Sequence, residues 1–194
     1  MNTKKEIKKL KKEIFEKTGC KIERLSSITN EDDYGYIYPE QIVASLKGAL
    51  NLIDAKEDLK SRSNMIVAEF QSGKTSTMTN IVWLIEYYDK IREFLGIDFN
   101  SSIFITSMSD VANKNQLEDD IRRQTGSRKD KKRLVKYNLH NPDLMRDLRN
   151  NNFFISNGII FNDESHTASF VNSVIHKWLK NLGINKNGLF EDEM

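Results

Sequence analysis

The chain is short of the residues that staple or interrupt a fold. Its 194 residues include one cysteine, Cys20, and only two prolines. A single cysteine excludes an internal disulfide and fits a reducing compartment, where the thiol is expected to be an ordinary buried side chain. A small secreted domain held together by disulfides is therefore excluded.

Long apolar runs and an excess of one charge are also missing from the sequence. No stretch reaches 18 apolar residues, and the lysines near the start are not followed by the apolar segment of a signal peptide. We therefore expect no membrane contact and a cytoplasmic location. The chain has 30 Lys and Arg residues and 28 Asp and Glu residues, so its net charge is only +2. Any contact with nucleic acid must then depend on a local basic surface.

The most informative stretch is 65–86, MIVAEFQSGKTSTMTNIVWLIE. Its first four apolar residues, 65–68, are too few for a buried helix and suit a strand that is covered on both faces. Apolar residues at helical spacing begin at position 78. The turn between strand and helix contains six candidate ligand-binding residues: Gln71, Ser72, Gly73, Lys74, Thr75 and Ser76. Strand, glycine-bearing turn and helix in this order predict a phosphate-binding loop.

The residue types in this loop suit a nucleoside triphosphate. Gly73 lets the backbone approach the phosphates closely, Lys74 reaches the β and γ phosphates, and Thr75 supplies a hydroxyl to Mg²⁺. The predicted cofactors are therefore ATP and Mg²⁺. The alternative is a chance Gly-Lys-Thr on a surface loop, which a buried strand and an amphipathic helix would not normally frame.

A pair of carboxylates follows a second apolar strand, predicted at 159–162. Asp163 is placed to hold Mg²⁺, and Glu164 is placed to orient and deprotonate the attacking water. The pair lies 89 residues after Lys74. Motifs at the ends of strands in one parallel sheet converge on the same edge, so the two segments are predicted to share one ligand.

These two motifs resemble those of superfamily 2 helicases and translocases. The tetrapeptide Asp163-Glu164-Ser165-His166 resembles their D-E-x-H box, and glycine's usual place in the loop is taken by Ala68, a form found in that family. The resemblance implies a P-loop NTPase fold with a RecA-like parallel sheet flanked by helices. It also implies that His166 links the nucleotide site to bound nucleic acid. The forms look closest to helicase-like ATPases of phages and bacterial defence systems.

The resemblance extends to Gln41, which follows Tyr38-Pro39 and precedes Lys74 by 33 residues. In superfamily 2 helicases a glutamine in this position reads the adenine edge while an aromatic ring stacks on the base. A glutamine in the first turn of a helix is commonplace, however, and the nearby tyrosines also suit an ordinary core.

Two segments are candidates for nucleic-acid contact. Ser107 and Ser109 follow a strand predicted at 102–106 and resemble the family's backbone-contacting motif, although the aspartate after them could equally cap a helix. The run 122–136 is the most basic in the chain and includes Arg128, Lys131 and Lys132. Such a run can bind phosphates, but charge runs are usually only solvated.

The first third of the chain is predicted to be helical. Residues 3–18 form an amphipathic helix with a basic outer face, which either is solvated or contacts nucleic acid or a partner, and Gly19 ends it. Residues 41–59 form a second helix. The predicted domains are a helical extension, 1–37, and a RecA-like ATP-binding domain, 38–194, with no second motor domain.

The expected function is that of the ATP-binding N-terminal motor domain of a helicase or translocase, acting on DNA in preference to RNA. It would need a second RecA-like domain or a partner subunit, because inter-domain arginines contribute on the order of 10³ to 10⁵ in rate. Slow ATP hydrolysis at best is expected from this chain alone. The alternative is a stand-alone, helicase-like nucleotide-binding protein that regulates or inhibits a partner. A small-molecule kinase is disfavoured because nothing in the sequence suggests a lid.

Overall fold

The computed structural model describes residues 3–26, 37–57 and 73–97, the backbone of three strands between 103 and 162, and Lys180. The described helices are α1 (Thr3–Thr18), α2 (Pro39–Glu57), α3 (Lys74–Tyr87) and α4 (Asp89–Leu95). The described strands are β1 (Ile103–Thr106), β2 (Val135–Tyr137) and β3 (Ile159–Asn162). The chain divides into two compact units, 1–96 with 118–131, and 97–117 with 132–194.

The helix ends in the first unit follow local sequence signals. Helix α1 has the predicted bounds, and Gly19 after it has φ 66°, a left-handed conformation that ends helices at little cost for glycine. Helix α2 begins at Pro39, as predicted for its first turn, and is described as far as Glu57, so its predicted end at residue 59 lies outside the described residues. Extended backbone at Tyr88 (φ −99°, ψ 100°) separates α3 from α4.

Aliphatic side chains from the helices and from the segment after α1 form the core of the first unit. The largest fully buried ones are Ile14, Ile22, Leu46, Ile53, Ile81, Leu84, Ile85 and Ile91. Burying one such side chain stabilises a fold by roughly 1.5–3 kcal/mol relative to leaving it exposed. Helix α3 lies deepest, since every residue from Thr77 to Ile85 is buried.

The predicted P-loop NTPase fold, a RecA-like parallel sheet flanked by helices, is wrong. Of the residues whose side chains the structure describes, 79% are helical, and these helices pack on one another. The sequence predicts a single apolar stripe on α3, which is the pattern of a helix that packs on a sheet. Instead the buried residues go all the way round α3 and include Thr77, Thr79 and Asn80. A helix buried on every side is surrounded by other elements and does not lie on the surface of a sheet.

The strands belong to the second unit, where they are described as backbone. They pair in parallel in the order β2-β1-β3, with Ile103 beside Val135 and Thr106 beside Asn162. Strands β1 and β3 match the strands predicted from the apolar runs, whereas β2 begins inside the basic run 122–136, where no strand was predicted. Each of these strands is described over only three or four residues. The strand predicted at 65–68 lies outside the described residues.

Helix α1 packs along α2 and is joined to it by two ion pairs. Lys47 Nζ lies 2.6 Å from Glu6 Oε1, and Lys17 Nζ lies 3.0 Å from Asp54 Oδ1. These groups are partly exposed, so each pair contributes up to about 1 kcal/mol.

The predicted division into 1–37 and 38–194 stays a prediction. No helix in the described ranges is long and apolar enough to cross a bilayer, and the cytoplasmic location stays a prediction.

The segment after α1 is held against α3 and α4 by polar contacts. The Tyr88 hydroxyl accepts the Arg24 N–H at 2.8 Å and donates to the Arg24 carbonyl at 2.6 Å. Lys90 Nζ donates to the Gly19 carbonyl at 3.0 Å, and the Arg24 guanidinium lies 5.9 Å from the centre of the Trp83 ring. Each contact joins residues more than 50 positions apart, so this segment is fixed by tertiary structure.

Two groups make the fold sensitive to high pH: Cys20 in this segment and Tyr88, which contacts it. Burial raises the pKa of the Cys20 thiol above its ordinary 9.0, although Lys90 opposes the shift. Burial also raises the pKa of Tyr88 above its ordinary 10.0, against the opposing effect of its hydrogen bonds to the 23–24 backbone. Both groups therefore favour folding in their protonated forms.

We expect the free energy of unfolding to fall as pH rises above about 9, through the raised folded pKa values of both groups. Stability contributed by a raised pKa is fully present below the unfolded value and is lost as the folded form ionises. Urea denaturation at several pH values between about 8 and 11 measures this loss. The double variant Cys20→Ala and Tyr88→Phe should show a shallower fall, and an equally steep fall in the variant would contradict the assignment.

Candidate nucleotide-binding site

Helix α3 begins at a glycine that no other residue can replace without strain. Gly73 is the N-cap of α3, with φ 78° and ψ 34° in the left-handed region, and its carbonyl accepts the Thr77 N–H at 2.9 Å. A Cβ at position 73 would collide with the side-chain amide of Gln41. Backbone conformation and lack of space therefore both require glycine at the start of α3.

Gln41 is held in this position by its own helix. It is the third residue of α2, and its Oε1 accepts the Tyr38 N–H at 3.1 Å. This is the side-chain half of a capping box, in which the third residue of a helix satisfies the N–H of the cap residue. The amide nitrogen is then directed at Gly73. The predicted adenine-reading residue and the predicted phosphate-loop glycine are thus in direct contact.

Three contacts show why these two residues meet. Gln41 lies against Gly73, Ser45 Oγ lies 3.2 Å from the Thr77 carbonyl, and Gly48 lies against Ile81. The contacts advance together along both helices, so α2 and α3 run side by side in the same direction. Their N-termini are consequently neighbours.

The electrostatics at the paired N-termini favour a bound anion. Each helix N-terminus carries roughly half a positive charge from its aligned peptide dipoles. Helices α1, α2 and α4 all have an acidic residue in the first turn, whereas α3 has none and begins with Lys74. A lysine at the positive end of a helix is unfavourable by itself. It becomes favourable when an anion binds there.

A layer of buried polar groups lies behind the site. The Ser45 hydroxyl is fully buried and donates to the Gln41 carbonyl at 2.7 Å, with the Thr77 carbonyl as a second acceptor at 3.2 Å. Asn80, 1% exposed, donates through Nδ2 to the Leu25 carbonyl at 3.1 Å. These hydrogen bonds fix how α2 and the 20–26 segment sit against α3. Neither Ser45 nor Asn80 was predicted from the sequence, because a buried polar residue within a helix does not stand out in the pattern of apolar spacing.

The structure describes some of the predicted site residues and not others. Gln41 and Gly73 are brought into contact, and Lys74, Thr75 and Ser76 form the first turn of α3, half-buried. The other predicted residues lie outside the described residues and stay predictions: Gln71, Ser72, Ser107, Ser109, Arg128, Lys131, Lys132, Asp163, Glu164 and His166.

The predicted metal site is likewise a prediction. Thr75 is half-buried in the first turn of α3, and its proposed partner Asp163 follows β3 outside the described residues. Where side chains are described, no three His, Cys, Asp or Glu residues gather in a way that could hold a metal ion.

Comparison of the chain with protein-family models, with curated proteins and with solved structures gives no match. The resemblance to superfamily 2 helicases therefore depends on the motifs themselves.

Proposed function

We propose that this chain binds ATP with Mg²⁺ at the loop leading into α3, as the nucleotide-binding part of a nucleic-acid helicase or translocase. The observation that carries the proposal is the contact between Gln41 and Gly73. The two residues are 32 positions apart, and the sequence selects each as a nucleotide contact on separate grounds. Side-by-side packing of α2 and α3 places them at one point.

The described residues fit a triphosphate. A Cβ at position 73 would collide with the Gln41 side chain, so this position requires the glycine that a phosphate loop also requires. Lys74 and the positive ends of two helices supply charge of the right sign. Lys74 would bind the outer phosphates, Thr75 would hold Mg²⁺ through its hydroxyl, and Tyr38, 61% exposed at the start of α2, would stack on adenine.

The remaining roles come from the second motif. Bound Mg²⁺ would neutralise phosphate charge and orient the terminal phosphate for attack. Glu164 would take the proton of the attacking water, Asp163 would bind the ion, and His166 would couple the site to nucleic acid. The adjacent, parallel ends of β1 and β3 support this assignment for the second unit, since Thr106 pairs with Asn162 and both predicted motifs come directly after these residues.

A second candidate function is a nucleotide-binding regulator or inhibitor that acts through a partner. The helix-on-helix packing around α3 favours this candidate, because it departs from the sheet expected of a motor domain. Both candidates share the same nucleotide site.

Two measurements on the purified chain test the proposal and separate the candidates. Titration with Mg²⁺ and ATP should show saturable binding with a dissociation constant of about 1 μM to 1 mM, the ordinary range for enzyme substrates. In a motor, single-stranded DNA or RNA changes the affinity for ATP, because the nucleotide and nucleic-acid sites are coupled; in a regulator, nucleotide binds but nucleic acid leaves that affinity unchanged. Failure to bind ATP at millimolar concentrations would overturn both candidates.

A further inference from the structure

The outer face of α1 carries a concentrated positive charge. Residues 3–18 contain seven lysines against three glutamates, a net charge of +4, whereas the whole chain has a net charge of +2. The described structure exposes most of these lysines: Lys4, Lys5, Lys8, Lys9, Lys12 and Lys17. The local surface is therefore strongly basic although the chain as a whole is nearly neutral.

An exposed aromatic ring continues the same face. Lys4, Lys8, Lys11 and Phe15 are spaced by four, three and four residues, which places them in one row about 16 Å long. Phe15 is 51% exposed and is one of two large hydrophobic side chains exposed in the described residues. We call this row the α1 basic face.

The ion pairs within α1 involve lysines outside this row. Lys9 Nζ lies 3.5 Å from Glu13 and Lys12 Nζ lies 3.4 Å from Glu16, and both lysine side chains are about three-quarters exposed. Pairs of this kind within one helix contribute roughly 0.3–0.5 kcal/mol, so a ligand phosphate can displace the glutamate readily.

We infer that the α1 basic face binds single-stranded nucleic acid. The lysines would bind successive phosphates, and the Phe15 ring would stack on an unpaired base. A basic groove with aromatic side chains for stacking is the arrangement by which proteins bind single strands without sequence preference. A duplex would leave the ring without a partner, because its bases are already stacked.

The buried side of α1 argues against an anionic membrane as the ligand. Leu10 and Ile14 are 5% and 0% exposed, so the apolar stripe of the helix is used in the protein core. An interfacial membrane helix needs that stripe for the lipid. Phe15 alone then remains to enter a bilayer.

A charge-matched pair of variants tests the contribution of the lysines. The probe is fluorescein-labelled oligothymidylate, and its affinity for the full chain is measured by anisotropy between about 50 and 300 mM salt without nucleotide. Lys4→Gln with Lys8→Gln should weaken binding about 25-fold at 0.1 M salt and make the log–log salt slope shallower by about 1.4. The control, Lys56→Gln with Lys180→Gln, removes the same charge from exposed positions on other segments and should change both quantities little.

Variants of Phe15 test the stacking. Phe15→Leu should weaken binding about 5- to 100-fold while Phe15→Tyr retains it, because each base stacked on a ring contributes on this scale. Equal effects of the test and control lysine pairs, or no binding of the oligonucleotide, would overturn the inference. Binding to vesicles of anionic lipid with none to the oligonucleotide would do so as well. No step uses ATP, so failure here leaves the proposed nucleotide site untouched.

Discussion

Lys74→Ala weakens binding of ATP with Mg²⁺ by about 10- to 150-fold, because a hydrogen bond to a charged group contributes roughly 1.5–3 kcal/mol. Lys74 is the first residue of α3, where its ammonium adds to the positive potential of two neighbouring helix N-termini. Removing it leaves the phosphates without their one predicted side-chain cation. Isothermal titration of the wild-type chain and the variant measures the change.

The same substitution should change the stability of the chain without ligand only slightly. A lysine at a helix N-terminus opposes the helix dipole, so Lys74→Ala relieves about 0.3–1 kcal/mol of repulsion, which offsets the loss of its other contacts. The control is Lys56→Ala, which removes an exposed lysine from the last turn of α2, where it favours the dipole. It should lower stability slightly and leave ATP binding unchanged. Weaker ATP binding in both variants would contradict the assignment to Lys74.

Gly48→Val should lower the free energy of unfolding by about 1–3 kcal/mol, the usual effect of overpacking a filled core. A Cβ at position 48 would collide with Ile81 Cδ1 and would lie 3.2 Å from Ile81 Cγ1. Ile81 is 2% exposed and β-branched, so it has little freedom to move aside. Urea denaturation followed by circular dichroism measures the loss.

A double-mutant cycle shows whether this loss comes from the contact between α2 and α3. Ile81→Ala alone should destabilise by about 2–5 kcal/mol through the cavity it leaves. In the double variant the new valine partly fills that cavity. The double variant should therefore lose at least about 0.5 kcal/mol less stability than the sum of the losses in the two single variants. The control Asn51→Val, at an exposed position on the same helix, should change stability by less than about 0.5 kcal/mol. Additive losses in the double variant would contradict the close packing.

Local sequence signals were sufficient for the helices but not for the fold class. The spacing of Ile7, Leu10 and Ile14, with Gly19 after them, predicts the bounds of α1 correctly because these signals act within one or two turns. The RecA-like fold was implied by the resemblance of the 65–86 and 163–166 motifs to those of superfamily 2 helicases. The helix-on-helix packing of the described residues contradicts it, and this packing depends on buried polar residues such as Thr77, Thr79 and Asn80, which periodicity counts as an exposed face.

The candidate site could be predicted residue by residue but not as an arrangement. Gln41, Gly73 and Lys74 were each selected from their neighbours in sequence. The common direction of α2 and α3 depends on Gly48 meeting Ile81 and on Ser45 meeting the Thr77 carbonyl. Contacts between positions 32 or 33 apart leave no pattern in a single sequence, so this part of the site required the structure.

Hydrogen–deuterium exchange with and without saturating ATP and Mg²⁺ tests the central claim most directly, because it locates the ligand on the intact chain. The claim is that nucleotide binds where the N-termini of α2 and α3 meet. It predicts slower exchange in peptides covering 37–45 and 73–80, and at an ATP concentration just sufficient for the wild-type chain Lys74→Ala should largely remove the effect. Unchanged exchange in both peptides while ATP is bound would contradict it.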